Sequence, residues 1–158
     1  LWINEIHYDN TGADTGEGIE IAGTANIDLS GWQLLAYNGS DGKIYHTINI
    51  TGTITNQQNG LGTMWFDVQG LQNSKEAIAL VNPDGDVGQF LSYEGRVRAR
   101  EGAANKMRST NIGVSESSST NVGYSLQLGG SGNKYSDFTW QSASAETRNL
   151  INNNQSFN

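Results

Sequence analysis

Lys43-Ile44-Tyr45-His46-Thr47-Ile48-Asn49-Ile50 is the stretch that decides the fold. Ile44, His46, Ile48 and Ile50 fall on one side of an extended chain and Tyr45, Thr47 and Asn49 on the other. That period of two marks a half-buried strand, since a helix would scatter the isoleucines around its axis. The preceding turn, Asn38-Gly39-Ser40-Asp41-Gly42, supplies short polar side chains and glycines suited to a hairpin. Residues 61–68 alternate in the same way, with Met64, Phe66 and Val68 as a core face and Thr63, Trp65 and Asp67 pointing outward. Further strand candidates lie at 1–8, 19–22, 32–37, 77–81, 88–93, 124–128 and 138–141. The sharpest hairpin is Asn82-Pro83-Asp84-Gly85-Asp86, between 77–81 and 88–93. Only between Glu94 and Asn121 does alternation fail, which predicts one long loop excursion, the kind of segment that carries function on a β-scaffold.

Composition points the same way. Asn, Ser, Thr and Gly fill 65 of 158 positions while charged residues make up 16%, too few for long solvent-exposed helices. With no Cys, disulfides, thiolate nucleophiles and Cys-based zinc sites are all excluded, so burial or a hard metal must hold the fold. The expectation is an all-β sandwich of about nine strands, with residues 1–158 forming a single domain. No apolar run approaches the roughly 20 residues of a membrane-spanning helix. The chain begins at Leu1 within a strand-like segment, which suggests a mature or excised piece of something longer.

Ile3-Asn4-Glu5-Ile6, Ile19-Glu20-Ile21 and Asp28-Leu29-Ser30-Gly31-Trp32 followed by Leu34 resemble the opening of bacterial lamin-tail domains. The likeness continues through 77–81, the turn Asp84-Gly85-Asp86, Phe90-Leu91-Ser92-Tyr93, 113–117, Ser125-Leu126-Gln127 and Asp137-Phe138-Thr139-Trp140. This resemblance implies an immunoglobulin-like β-sandwich, an accessory module of secreted bacterial multidomain proteins such as extracellular nucleases and other hydrolases. It implies no catalytic residues. Gly18 departs from it, standing where such domains usually place an aromatic between two acidic positions. The Ser30-Gly31 turn is expected to deliver Trp32 onto the inner face of the next strand as a core residue.

Candidate chemistry is sparse. The only histidines are His7 and His46, and His46, on the core face of its strand, reads as a buried structural residue. No nucleophile elbow, phosphate loop or zinc-binding histidine pair occurs, so an enzyme is not expected. The loop from His7 to Glu17 gathers Asp9, Asn10, Asp14 and Glu17 with Gly12 and Gly16 between them. Calcium takes 6 to 8 hard oxygen ligands, which makes Asp9, Asp14 and Glu17 candidate ligands of a structural calcium ion. The alternative is that these residues simply cap turns. Asn82, Asp84 and Asp86 form a second calcium candidate, for which a plain hairpin turn is the better explanation.

Two features suggest a ligand. Trp65 and Tyr45, outward-facing beside short polar side chains, suit stacking on a sugar ring, the alternative being cross-strand packing. Arg96, Arg98, Arg100, Lys106 and Arg108 place five of the nine basic residues within thirteen positions of an otherwise acidic chain of net charge −7. Arginine forks suit carboxylate, sulfate or phosphate, the alternative being charge balance against Glu94 and Glu101. Net acidity opposes general attraction to DNA, which gains from many phosphate contacts. The expected function is therefore a non-catalytic accessory module binding an acidic or sulfated polysaccharide beside a catalytic domain, secreted and not membrane-bound. A structural spacer, or a DNA-positioning module attached to an extracellular nuclease, is the alternative.

Overall fold

The computed structural model describes residues 1–158 and contains eleven strands with no α-helix. The strands are β1 (Trp2–His7), β2 (Gly18–Thr24), β3 (Gln33–Asn38), β4 (Ile44–Asn49), β5 (Leu61–Asp67), β6 (Glu76–Val81), β7 (Val87–Tyr93), β8 (Thr110–Asn111), β9 (Tyr124–Gly132), β10 (Phe138–Ala145) and β11 (Gln155–Phe157). They form two sheets, so the all-β two-sheet class expected from the alternation is what the chain adopts, consistent with the immunoglobulin-like sandwich that the resemblance implies. All nine expected strands are present. The two additional ones, β8 and β11, are short and pair in parallel with β7 and β9.

The chain divides into two compact units, neither continuous in sequence. The first comprises Leu1–Asp28, Thr53–Asn73 and Val114–Asn158. Its sheet runs β10-β9-β1-β2-β5, with β11 against β9. Every residue of β1 is buried, and the segment after β10 reaches its polar side chains at Glu5, through the Thr147 N–H, and at Asn4, through the Gln155 amide. Trp2 stacks on Phe138 at 5.8 Å between ring centroids, and Phe157 meets both rings edge-on, which ties the last strand to the first.

The second unit comprises Leu29–Gly52 and Ser74–Gly113, with sheet order β4-β3-β6-β7-β8. Asn82 builds the β6–β7 turn, its Oδ1 accepting the Asp84 and Asp86 backbone N–H groups, with Gly85 at φ +87°. The central strands β3 and β6 bury consecutive residues, so both of their faces are covered. On one face Leu35, Tyr37, Ala77, Ala79, Val81 and Phe90 pack with Val97, Ala99 and Ala104 of the loop excursion.

Three sequence expectations change. Ile44, His46 and Ile48 are only half-buried, because β4 is the edge strand of its sheet. Trp32 is also half-buried and precedes β3, while Leu29, at the start of the same turn, is fully buried. The buried histidine is His7, not His46.

Candidate functional site

Residues 96–100 read Arg-Val-Arg-Ala-Arg, and this short alternation builds the site. Val97 and Ala99 are buried in the cluster on β3, β6 and β7, which leaves Arg96, Arg98 and Arg100 exposed together on the other side. The chain turns at Gly102 and returns antiparallel. The Ala99 N–H donates to Met107 O at 2.9 Å, the Lys106 N–H to Ala99 O at 2.8 Å and the Ser109 N–H to Val97 O at 2.8 Å. The excursion is thus an ordered hairpin laid on the sheet, with Lys106 and Arg108 exposed on its second arm.

Tyr37 holds the hairpin from below. Its ring is fully buried, and its hydroxyl donates to Glu101 O at 2.9 Å and accepts the Ala104 N–H at 3.2 Å. Burial pushes the Tyr37 phenol pKa up, which keeps the hydroxyl a donor. At Gly102, φ is +68° and an added Cβ would lie 2.9 Å from the Tyr37 Oη, so this close approach needs glycine. The Arg100 N–H donates to Gly42 O at 2.8 Å, and the Glu101 carboxylate accepts the Ile44 N–H at 3.0 Å, which joins the hairpin to the β3–β4 turn.

The charges on this hairpin are unbalanced. None of Arg96, Arg98, Arg100, Lys106 and Arg108 makes an ion pair. Arg98 and Arg108 are direct cross-strand partners. Like charges directly opposite one another are destabilising. A cleft of about 300 Å³ opens between the arms, lined by Arg98, Ala99, Arg100, Asn105 and Lys106. Its charged side chains are all cationic, with no carboxylate among them.

The other candidate residues are placed elsewhere. Trp65 lies in the first unit, on β5, where its indole occupies the space above Gly18: a Cβ there would stand 2.5 Å from the Trp65 Cζ2. The side chain missing at Gly18 is what lets the indole lie across the strand pair. The Arg148 guanidinium covers the ring, its Cζ 4.3 Å from the centroid, and the indole N–H donates to Asp67 Oδ1 at 2.9 Å. Thr63, expected outward, is buried and donates to Gln57 Oε1 at 3.0 Å. Tyr45 is half-buried and hydrogen-bonds the buried Glu76 carboxylate through its hydroxyl.

Asp9 is buried, Asp14 half-buried and Glu17 buried. Asp14 is held through both oxygens, Oδ1 accepting the Asn10 N–H at 3.1 Å and Oδ2 the Asn73 amide at 2.6 Å. The Glu17 Oε1 accepts the Gly70 N–H at 3.3 Å. No group of three His, Cys, Asp or Glu side chains converges in a way that would hold a metal ion.

What tightens the first loop is a residue the sequence reading did not single out for it. Glu116 is buried, with Oε1 accepting the Tyr8 and Asp9 N–H groups at 2.6 and 3.1 Å and Oε2 meeting His7 Nδ1 at 2.8 Å. No sequence signal links these residues. Tyr37 and Asn105 were also missed, and the short Val97/Ala99 alternation lies within the segment expected to be an irregular loop, where it forms a hairpin arm bridged at Arg98 and Arg108.

Comparison with protein-family models, curated protein sequences and solved structures finds no match.

Proposed function

We propose that this chain is a non-catalytic accessory module of a secreted bacterial multidomain enzyme, resembling a lamin-tail domain, and that it binds an anionic polysaccharide through the basic hairpin. One observation carries the reading: five exposed cations share an ordered hairpin without a single carboxylate partner, two of them directly opposed. A cation-lined surface that costs stability in the free protein is relieved by an anion. Ordered donors on a docked hairpin recognise a glycan with little further ordering, whereas non-specific DNA binding depends on many neutralised phosphates. Trp65 and Tyr45 enter this reading only as packing residues, since Arg148 covers the one and Glu76 holds the hydroxyl of the other.

The test is calorimetry of the chain against neutral dextran, dextran sulfate and duplex DNA, with and without a calcium chelator. The expected result is binding to dextran sulfate alone, lost in the Arg96→Ala, Arg98→Ala double variant. Binding to no glycan leaves the spacer role. Tight DNA binding with a steep salt dependence substitutes the DNA-positioning role. Loss of glycan binding on chelation would return calcium to the site.

A further inference from the structure

Resting on the anionic-glycan reading, we infer that the cleft between the hairpin arms selects a tetrahedral ester oxyanion with three free oxygens, carried on a sugar, over a carboxylate or a phosphodiester. The argument starts from the donors. Arg98 and Arg100 each present a planar guanidinium fork, Lys106 a three-donor ammonium and Asn105 an amide, and the three charged groups donate without accepting. A carboxylate has two coplanar oxygens that one guanidinium satisfies in bidentate fashion, so a second fork and the ammonium would stay unpaired. A phosphodiester likewise offers only two free oxygens. An ester-borne sulfate or phosphate monoester offers three, disposed tetrahedrally, one for each of Arg98, Arg100 and Lys106.

Size agrees. At about 300 Å³ the cleft lies at the small end of ligand pockets, room for one charged group and the sugar ring that bears it. The backbone supplies a second, independent sign. Lys106 sits at φ +73°, left-handed geometry in which Asn or Gly is at ease and Lys is uncommon. That position lines the cleft, so a lysine stands where a better turn former would otherwise be expected.

The experiment compares dextran sulfate with carboxymethyl-dextran of matched charge density at one ionic strength. Glucose 6-sulfate, glucose 6-phosphate and glucuronate then serve as competitors. Dextran sulfate is expected to bind about tenfold tighter than carboxymethyl-dextran, with Arg98→Ala, Arg100→Ala and Lys106→Ala each weakening it about tenfold. Lys106→Asn is expected to weaken binding equally while holding or raising the melting temperature, which separates loss of the ammonium from loss of folding. The better competitor of the two glucose esters identifies the group, sulfate or phosphate. Equal binding of the two dextrans, or a Lys106→Asn variant that binds normally, overturns the inference and leaves the anionic-glycan reading intact. Binding of neither dextran overturns that reading itself.

Discussion

The imidazole of His7 and the carboxylate of Glu116, 109 residues apart in the chain, meet at 2.8 Å with both side chains fully buried. The other ring nitrogen, Nε2, faces Asn10 Oδ1 and Thr15 O, each at 3.0 Å. The Asn10 amide cannot be turned over, because its Nδ2 donates to Thr11 O and Ala13 O while Oδ1 accepts the Thr15 N–H. Both ring nitrogens therefore face oxygens, which a doubly protonated imidazolium meets with one donor each. Burial alone would lower the His7 pKa; the Glu116 hydrogen bond and charge outweigh it, and the net shift is upward. Asp14 and Arg148 are the other charged groups that act on the ring.

A pH dependence follows from that sign. A histidine whose folded pKa is raised stabilises the fold fully below its ordinary value near 6.5 and loses that contribution as pH rises through the folded value. The melting temperature is expected to fall as pH rises above about 6.5. Glu116→Gln is expected to cost about 3 kcal/mol at pH 6, a drop of roughly 6–12 °C, and to flatten the pH profile. A wild-type melting temperature that climbs over this range would show that His7 is neutral in the fold.

Glu5 and Glu20 face each other across β1 and β2, both buried, and burial raises the pKa of each. Glu5 Oε2 accepts the Thr147 N–H at 2.9 Å and the Ser125 hydroxyl, and Oε1 lies 3.1 Å from Thr147 Oγ1, which is itself 2.9 Å from Asn152 Oδ1. The Thr147 hydroxyl has one proton for two acceptors, and a neutral Glu5, the form that burial favours, satisfies both contacts by donating to Thr147 Oγ1. Glutamine keeps every one of these bonds. Glu5→Gln is therefore expected to stabilise by about 1–2 kcal/mol at pH 8 and by nothing near pH 4, where the carboxyl is already protonated. Thermal melts at the two pH values measure this, and a destabilised variant at pH 8 would refute the neutral assignment.

Tyr37→Phe removes one hydroxyl from beneath the basic hairpin and leaves the buried ring in place. Its expected cost is about 1–2 kcal/mol, with faster amide exchange confined to 97–109. Uniform exchange across both units would mean that the hydroxyl supports the whole sheet and not the hairpin.

Arg148→Ala uncovers Trp65. The expected result is an indole open to acrylamide quenching, at a stability cost of about 1 kcal/mol from the lost cation–π contact. The same substitution in a Trp65→Phe background should leave quenching unchanged. An unaltered quenching constant in the wild-type background would place another group over the ring.

The strand alternation was legible because its information is local. The period of two at 44–50 and 61–68, and the Asn82-Pro83-Asp84-Gly85-Asp86 turn, each depend on neighbours in sequence. The same holds for the shared face of Arg96, Arg98 and Arg100, which needs only an extended backbone. Burial and pairing are not local. Trp65 alternates outward, yet it is packed because Gly18, on the adjoining strand, leaves room for the indole and Arg148 reaches over it. His46 alternates inward, yet it is half-buried because β4 ended at a sheet edge. The partners of both His7 ring nitrogens come from Glu116, Asn10 and Thr15 together. By itself the sequence determined which residues could form strands and where the cations cluster. Only the tertiary structure decided which of them are covered, because solvent exclusion and pKa depend on groups that folding brings together from opposite ends of the chain.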